Sequence, residues 1–542
     1  MKEYLREKVV SSLQSLGITT DVTFEKPRQP EHGDLTTNVA MVIAKSLKKN
    51  PRQLATEIVS HLDIDSTLIN PPEIAGPGFI NFKFTDRFFH RQLGELIAHE
   101  DVFGRSRIGN GKRTLVEFVS ANPTGPLTVG HGRNAVFGDT VANLLEWTGH
   151  EVTREYYFNN AGRQMRVLGD SVRLRYLELL GEQVTFPDEY YQGGYIKDIA
   201  LRLYQQYGDS LKGEPPEGKF KEQAELEIFD DIKGTLNRLR IEFQSYFNEN
   251  SLYETGKIRQ VIDEFRTKGL VYEKDGALWL RTETLGGEKD KVIVKSTGEP
   301  TYRLPDIAYH IEKFRRGYNL MIDIFGSDHV ASYPDVLAGL KALGYDTGKV
   351  KVLIHQFVTI MQEGEIVKMS TRKANYITLD ELIDEVGADV VRYFFLMRSI
   401  TGHLNFDINL AKSQSDENPV YYLQYAHARI ASILRNAEKH GTRFEANTEV
   451  IELLKTSEEI TLIKALLLFP ETVESCAMAF EPHRLAEYLH NVAGLFHRFY
   501  HEHKVLGDDT RLTNARLGLC KATRIVLRNG LAVFGISAPE QM

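Results

Sequence analysis

Cysteine is nearly missing from this chain: Cys476 and Cys520 are the only two among 542 residues. Two thiols cannot frame a disulfide scaffold or a Cys-rich zinc site, so a reducing compartment, the cytoplasm, is expected. Long apolar runs are missing too. None approaches the ~20 residues that a membrane-spanning helix requires. The opening stretch, MKEYLREKVVSSLQSLG, has amphipathic helical spacing, and Glu3, Glu7 and Lys8 interrupt the apolar core that a signal peptide would need. Nor is there a basic excess. With 66 Lys and Arg against 74 Asp and Glu, the net charge is −8, which excludes a blanket polyanion binder. Any nucleic-acid contact has to come from local basic faces.

What is present is a globular composition, 42% apolar and 26% charged, in a length that suits roughly three to four domains. Residues 1–108 read as an α+β module. A Pro/Gly-bearing loop leads into helices, and in FINFKF the alternation puts Ile80, Phe82 and Phe84 on one strand face, with Asn81 and Lys83 on the other. From 114 the texture becomes strand (TLVEFVS), turn (ANPTGP), helix closed by Gly149, and strand (EVTREYYF). That is the βαβ unit of a doubly wound parallel sheet, placed here in residues 109–380. The charged, helical stretch at about 160–290 reads as an insertion, after which DKVIVKS, LMIDIFG and VKVLIHQFVTI resume the sheet. Beyond 380 the pattern reads as helical to the end, without strand alternation, as connecting helices (381–419) and a bundle (420–542). The bundle carries 14 basic and 14 acidic residues. Lys521, Arg524 and Arg528 share a helix face in it, either a solvated stripe or a phosphate-binding one.

Two stretches carry candidate chemistry. In PLTVGHGRN (126–134), at a strand-to-helix turn, Gly130 and Gly132 flank His131. A helix N-terminus there offers free N–H groups and the positive end of a dipole to a phosphate. In EIVKMSTRKANY (365–376), Lys368, Arg372 and Lys373 form a cationic loop of the kind that stabilises charge on a transferring phosphate chain. Taken singly, the first reads more readily as a structural turn and the second as a solvated charge run.

Together, PLTVGH and KMSTR resemble the HIGH and KMSKS signatures of class I aminoacyl-tRNA synthetases. VEFVSANPTGPLTVGHGRN, TYRLPDIAYHIEKF, KMSTRKANYITLDELIDEVGADVVRYFF, DENPVYYLQYAHARI and the ending GISAPEQM narrow this. In that order, and over essentially the whole chain, they look like arginyl-tRNA synthetase of the bacterial type. The resemblance implies an α/β, Rossmann-like catalytic domain with an N-terminal module at the tRNA elbow, where Lys45, Lys48, Lys49 and Arg52 are suitable phosphate contacts, and an all-α C-terminal anticodon-binding bundle. It implies ligation of L-arginine to tRNA(Arg) through an arginyl-adenylate. ATP would enter as its Mg²⁺ complex, with no tightly bound metal, no membrane and a monomeric enzyme.

By the same resemblance Glu117, Asn122, Tyr302, Asp306 and His329 hold arginine, with Asp328 a further candidate. Pro126, Gly130, His131, Gly132, Asn134, Lys368, Met369 and Ser370 hold ATP. Thr128, His131, Lys368, Arg372 and Lys373 serve the transfer, and Tyr422, Tyr425, Arg429, Arg524 and Arg528 meet tRNA. A guanidinium asks for carboxylates in fork geometry, and Glu117 ends an apolar strand where a lone carboxylate needs a cation. Tyr302 could equally be core and Asp306 a helix cap, and the bundle tyrosines could be core. Two departures stand out: Thr128 replaces the first histidine of HIGH, and Thr371 the second lysine of KMSKS, for which Arg372 and Lys373 are expected to substitute. A synthetase for another amino acid and a weakened tRNA-binding paralogue are the alternatives.

Overall fold

A computed structural model describes the backbone of residues 1–160, 162–367, 377–442, 444–445 and 448–542; the side chains of Pro30, Asp328 and Thr448 lie outside the description. At its centre is a parallel sheet of β1 (Arg113–Glu117), β2 (Glu151–Phe158), β3 (Ser245–Asn248), β4 (Leu320–Gly326) and β5 (Val350–His355). Their order across the sheet is β5-β4-β1-β2-β3, so the winding direction reverses between β1 and β4. Ligands of doubly wound folds sit at that switch point, beyond the carboxyl ends of the strands.

α1 (Val129–Trp147) crosses from β1 to β2 and is buried on nearly every side. The sheet lies on one side of it, and the helices Ala388–Leu396, Phe469–Ala479 and α5 (Thr510–Val533) lie on the other. It ends in a Schellman motif: Gly149 takes φ +84°, and the N–H of His150 donates to the Leu145 carbonyl at 3.0 Å. α2 (Arg303–Arg315) leads into β4 and packs over the same sheet.

Three expectations are corrected. The stretch read as an insertion contains a strand of the central sheet, β3. The inserted helices end at Arg238, and Lys291–Val294, read as resuming the parallel sheet, belongs instead to an antiparallel meander with Val271–Lys274 and Ala277–Leu280. β3 is a four-residue edge strand whose pattern, SYFN, is too short to stand out beside charged helices. Past residue 380 there is a strand, Leu404–Asp407, pairing in parallel with Val358–Gln362.

In the N-terminal module Ile80, Phe82 and Phe84 are buried as the alternation requires. The module docks on the helical bundle formed by α3 (Pro419–Lys439), α4 (His483–Glu502), α5 and shorter helices: His90 bonds the Leu454 carbonyl at 2.7 Å, and Lys464 pairs with Asp34 at 2.8 Å.

Candidate active site

The rim of the crevice is strained. Immediately after β1, Val119 and Ser120 adopt left-handed conformations (φ +65° and +42°), which a β-branched residue rarely takes. Asn134, one turn into α1, holds the bend. Its Oδ1 accepts from the Val119 N–H at 2.6 Å, and its Nδ2 donates to the Ile324 carbonyl of β4 at 2.9 Å. The residue expected to hold ATP thus clips the ends of β1 and β4 together, and nothing in its spacing signalled that task.

Thr128 is the N-cap of α1, and His131 completes a capping box with it. The Thr128 hydroxyl accepts from the His131 N–H at 3.5 Å, while the Thr128 N–H donates to His131 Nδ1 at 3.2 Å. Because a backbone N–H only donates, Nδ1 must be the acceptor, and in neutral imidazole the proton then sits on Nε2. A Cβ on Gly132 would come within 2.6 Å of Leu379, so this glycine lets the segment after the cationic loop pack on α1. A Cβ on Gly130 would meet only Thr128 Oγ1, at 3.7 Å, so the protein's own packing does not demand glycine there. Pro126 is partly buried in the preceding turn. Thr378 bridges Thr128, and the Leu379 N–H donates to the Leu127 carbonyl at 2.8 Å, so the chain emerges from the cationic loop beside His131. Lys368, Met369, Ser370, Thr371, Arg372 and Lys373 themselves lie outside the described residues.

Below the rim, register places Asp323 of β4, Glu117 of β1 and Glu155 of β2 side by side across three strands, all buried. Like charges directly opposite each other destabilise a sheet, and this row is answered by one face of α2 and the residue just past its end. Lys313, fully buried, places its ammonium 2.5 Å from both Glu117 Oε2 and Asp323 Oδ1. His310 Nε2 lies 2.9 Å from Asp323 Oδ2, and Arg316 grips both oxygens of Glu155. The Tyr309 hydroxyl donates to Glu155 at 2.6 Å, and the Ser120 hydroxyl donates to Glu117 Oε1 at 3.0 Å. Burial works to raise the Asp323 carboxyl, but Lys313 and His310 outweigh it and hold it well below the usual range. Burial likewise works to lower the Lys313 ammonium, and Asp323 and Glu117 raise it instead. The cation that meets Glu117 is therefore the protein's own.

A second set of carboxylates lies above the row. Asp306 stands in the first turn of α2, which begins at Arg303, so it is not the helix cap. No hydrogen bond to its carboxylate is found among the described residues. Burial, with Glu117 and Glu249 nearby, pushes it up to about 7, against the opposing pull of His310 and Lys313. Glu249, at the end of β3, meets the hydroxyls of Tyr157 (2.8 Å) and Tyr253, and burial raises its carboxyl despite both. Tyr302 is 80% exposed and so is not core. Asn122 donates to Gln164 at 2.5 Å. The His329 ring is exposed and stacks on Phe325 with centroids 5.0 Å apart. Glu249, Tyr157 and Lys313 escaped the sequence reading; only the recognition of β3 as a sheet strand would have brought Glu249 to the crevice.

In the bundle, Tyr425 stacks parallel to Tyr421 and against His497, Tyr422 lies between His490 and His497, and Arg429 covers the rings of Tyr425 and Tyr500. Beside them opens a groove of about 830 Å³ lined by Arg429, Arg435, Lys439, Tyr500, His501 and Lys504. The stripe on α5 is partly exposed and already paired with acids of the chain. Lys521 pairs with Glu100 at 2.6 Å, Arg528 with Asp101 and Arg524 with Glu540, so it fastens the bundle to the N-terminal half and to the chain's own tail.

A doubly wound sheet with a capped helix at its switch point and a helical bundle after it is the architecture of the class I aminoacyl-tRNA synthetases. Family models match in that sense: an arginyl-tRNA synthetase N-terminal domain over residues 3–84, a class I (R) tRNA synthetase catalytic domain over 92–392, and a DALR anticodon-binding domain over 423–542. The chain belongs to the arginine–tRNA ligase family. It is 53% identical over 521 residues to the arginine–tRNA ligase of Desulfotalea psychrophila, covering 96% of this chain and 94% of that one. It is 52% identical to that of Chlorobium phaeovibrioides, with both chains covered fully. The fold matches Thermus thermophilus arginyl-tRNA synthetase with a TM-score of 0.76 at 22% identity, again over the whole of both chains. Among the described residues no helix is long and apolar enough to cross a membrane.

Proposed function

We propose that this chain ligates L-arginine to the 3′ end of tRNA(Arg). The observation that carries the reading is the pair of under-compensated carboxylates, Asp306 and Glu249, in a crevice whose other acids are already paired. A guanidinium is planar and always charged, and it supplies the hydrogen bonds that Asp306 lacks and the positive charge that both carboxylates lack. Tyr302 covers the mouth, Asn122 faces the substrate's α-amino end, and Glu117, expected there from the resemblance, is scaffold beneath it. The arginine carboxylate attacks the α-phosphate of the Mg²⁺ complex of ATP. The bond to the bridging oxygen breaks, and pyrophosphate leaves with that electron pair. A ribose hydroxyl of the tRNA terminus then attacks the adenylate carbonyl and displaces AMP.

Neither step requires a covalent nucleophile from the protein; placement and charge neutralisation carry it. His131, as the Nε2–H tautomer, donates to phosphate from the start of α1, and Lys368 with Arg372 and Lys373 neutralises the departing pyrophosphate. The groove between α3 and α4, with the Tyr421/Tyr425 stack and Arg429, takes the anticodon arm through phosphate contacts and base stacking. The same reading holds the enzyme to be a cytoplasmic monomer.

The test is charging of total tRNA with labelled arginine, run beside labelled lysine and glutamine. Arginine alone should enter the acid-insoluble tRNA fraction. Failure to transfer arginine, or equal transfer of lysine, contradicts the proposal. A catalytically weakened paralogue would show binding of arginine without transfer.

A further inference from the structure

The acid row beneath the crevice poses a problem that the reaction alone does not explain. Glu117, Asp323 and Glu155 occupy neighbouring register positions, and each is at most 3% exposed. Glu155 has its own counter-ion in Arg316, which lies at the edge of the row with its guanidinium partly open to solvent. Glu117 and Asp323 share a single cation, Lys313, which is fully buried and rests over the Tyr309 ring at 4.2 Å. Asp306 and Glu249 lie just above, close enough that Glu117 and Lys313 both act on the Asp306 carboxyl, in opposite directions.

We infer that Lys313 is a positioning residue for arginine recognition. By neutralising Glu117 and Asp323 it leaves Asp306 and Glu249 as the anions that meet the guanidinium, and it pulls Asp306 toward its ionised form. The inference rests on the arginine reading above. Without the lysine, four carboxylates would crowd one low-dielectric pocket, and such groups escape repulsion by taking up protons. A protonated Asp306 cannot hold a guanidinium as an ion pair, so arginine would have to expel a proton in order to bind. Asp306 is faced by Glu117 from β1, Tyr157 from β2, Glu249 and Tyr253 from beyond β3, and His310 and Lys313 from its own helix. Among these Lys313 is the buried cation, and its pairing with Asp323 and Glu117 raises an already high ammonium.

The experiment is calorimetric binding of L-arginine to the full-length chain between pH 6 and 9, for wild type, Lys313→Gln and Asp323→Asn. Glutamine can still hydrogen-bond Glu117 and Asp323 but carries no charge. In Lys313→Gln the pH midpoint of arginine binding should rise by about one unit, weakening binding at pH 7 about fivefold. Asp323→Asn leaves the lysine fewer anions to serve, so its midpoint should fall below that of wild type. A folded Lys313→Gln protein with the wild-type midpoint overturns the inference. If that variant does not fold, Asp323→Asn decides: a lowered midpoint supports the role of Lys313 and an unmoved one overturns it. Wild type that binds no arginine at any pH would instead sink the arginine reading, and the inference with it.

Discussion

The floor and the wall of the crevice hold the same kind of side chain in opposite states. On the floor, Glu117, Asp323 and Glu155 are tied to Lys313, His310 and Arg316 across three strands, although burial still raises the Glu117 carboxyl. On the wall, Asp306 and Glu249 have tyrosine hydroxyls or no hydrogen-bond partner among the described residues, and their carboxyls are pushed up. A buried carboxylate with its cation already in place is scaffold. One without is a site waiting for a cation. The contrast separates the two roles better than burial does, since both sets are enclosed.

The largest effect should come from breaking the wall. Asp306→Asn or Glu249→Gln removes an anion that meets the substrate while keeping its shape, and steady-state charging should show kcat/KM for arginine falling about 10²–10³-fold, with the melting temperature little changed. A loss of stability without a specific loss toward arginine would place these residues with the floor.

Next comes pH. A carboxyl raised to about 7 holds its proton in the free enzyme at pH 6 and has lost it by pH 8. Arginine requires the ionised form, so its apparent affinity should fall about tenfold from pH 8 to pH 6, with proton release on binding at pH 6. The same shift makes ionised Asp306 a cost to the fold. Its raised value means that the folded state binds the proton more tightly than the unfolded chain, so this group's contribution to stability falls as pH climbs from about 4 to 7, and Asp306→Asn should flatten that trend in melting curves.

A smaller effect separates Thr128 from the charge that HIGH would supply. Its work is to cap α1 and to set the His131 tautomer, so Thr128→Ser should retain the rate of arginine-dependent pyrophosphate exchange. Thr128→Val should lose about fivefold, the worth of an N-cap of about 1 kcal/mol. Thr128→His should bring no gain; a large gain would show a missing cation after all. The smallest effect belongs to α5. Lys521→Ala and Arg528→Ala break partly exposed ion pairs worth about 0–1 kcal/mol, so the KM for tRNA should stay within about twofold of wild type.

Much of this was legible in the sequence, because the parallel strands and α1 carry their apolar periodicity and their glycines locally. The turn before α1 could be read directly, and Asp306 could be placed near the start of α2, though not inside its first turn. What escaped was non-local. β3 shows four residues of weak pattern and is a strand only because β2 lies beside it. Lys313 reads as one more helix lysine until register brings Glu117 and Asp323 under it. The α5 stripe reads as free cation because its partners Glu100 and Asp101 lie more than four hundred residues away. Asn134 looked like a ligand contact for the same reason: the strained backbone at Val119 that it holds has no signature in the sequence.

The central claim is that two uncompensated carboxylates select a cation. Its most direct test is calorimetric titration of the wild-type protein at pH 8 with L-arginine and with L-citrulline, which has the same length and a planar but neutral ureido end. Arginine should bind at least about a hundredfold more tightly, the worth of a buried charge-assisted pair. Equal affinities would contradict the account.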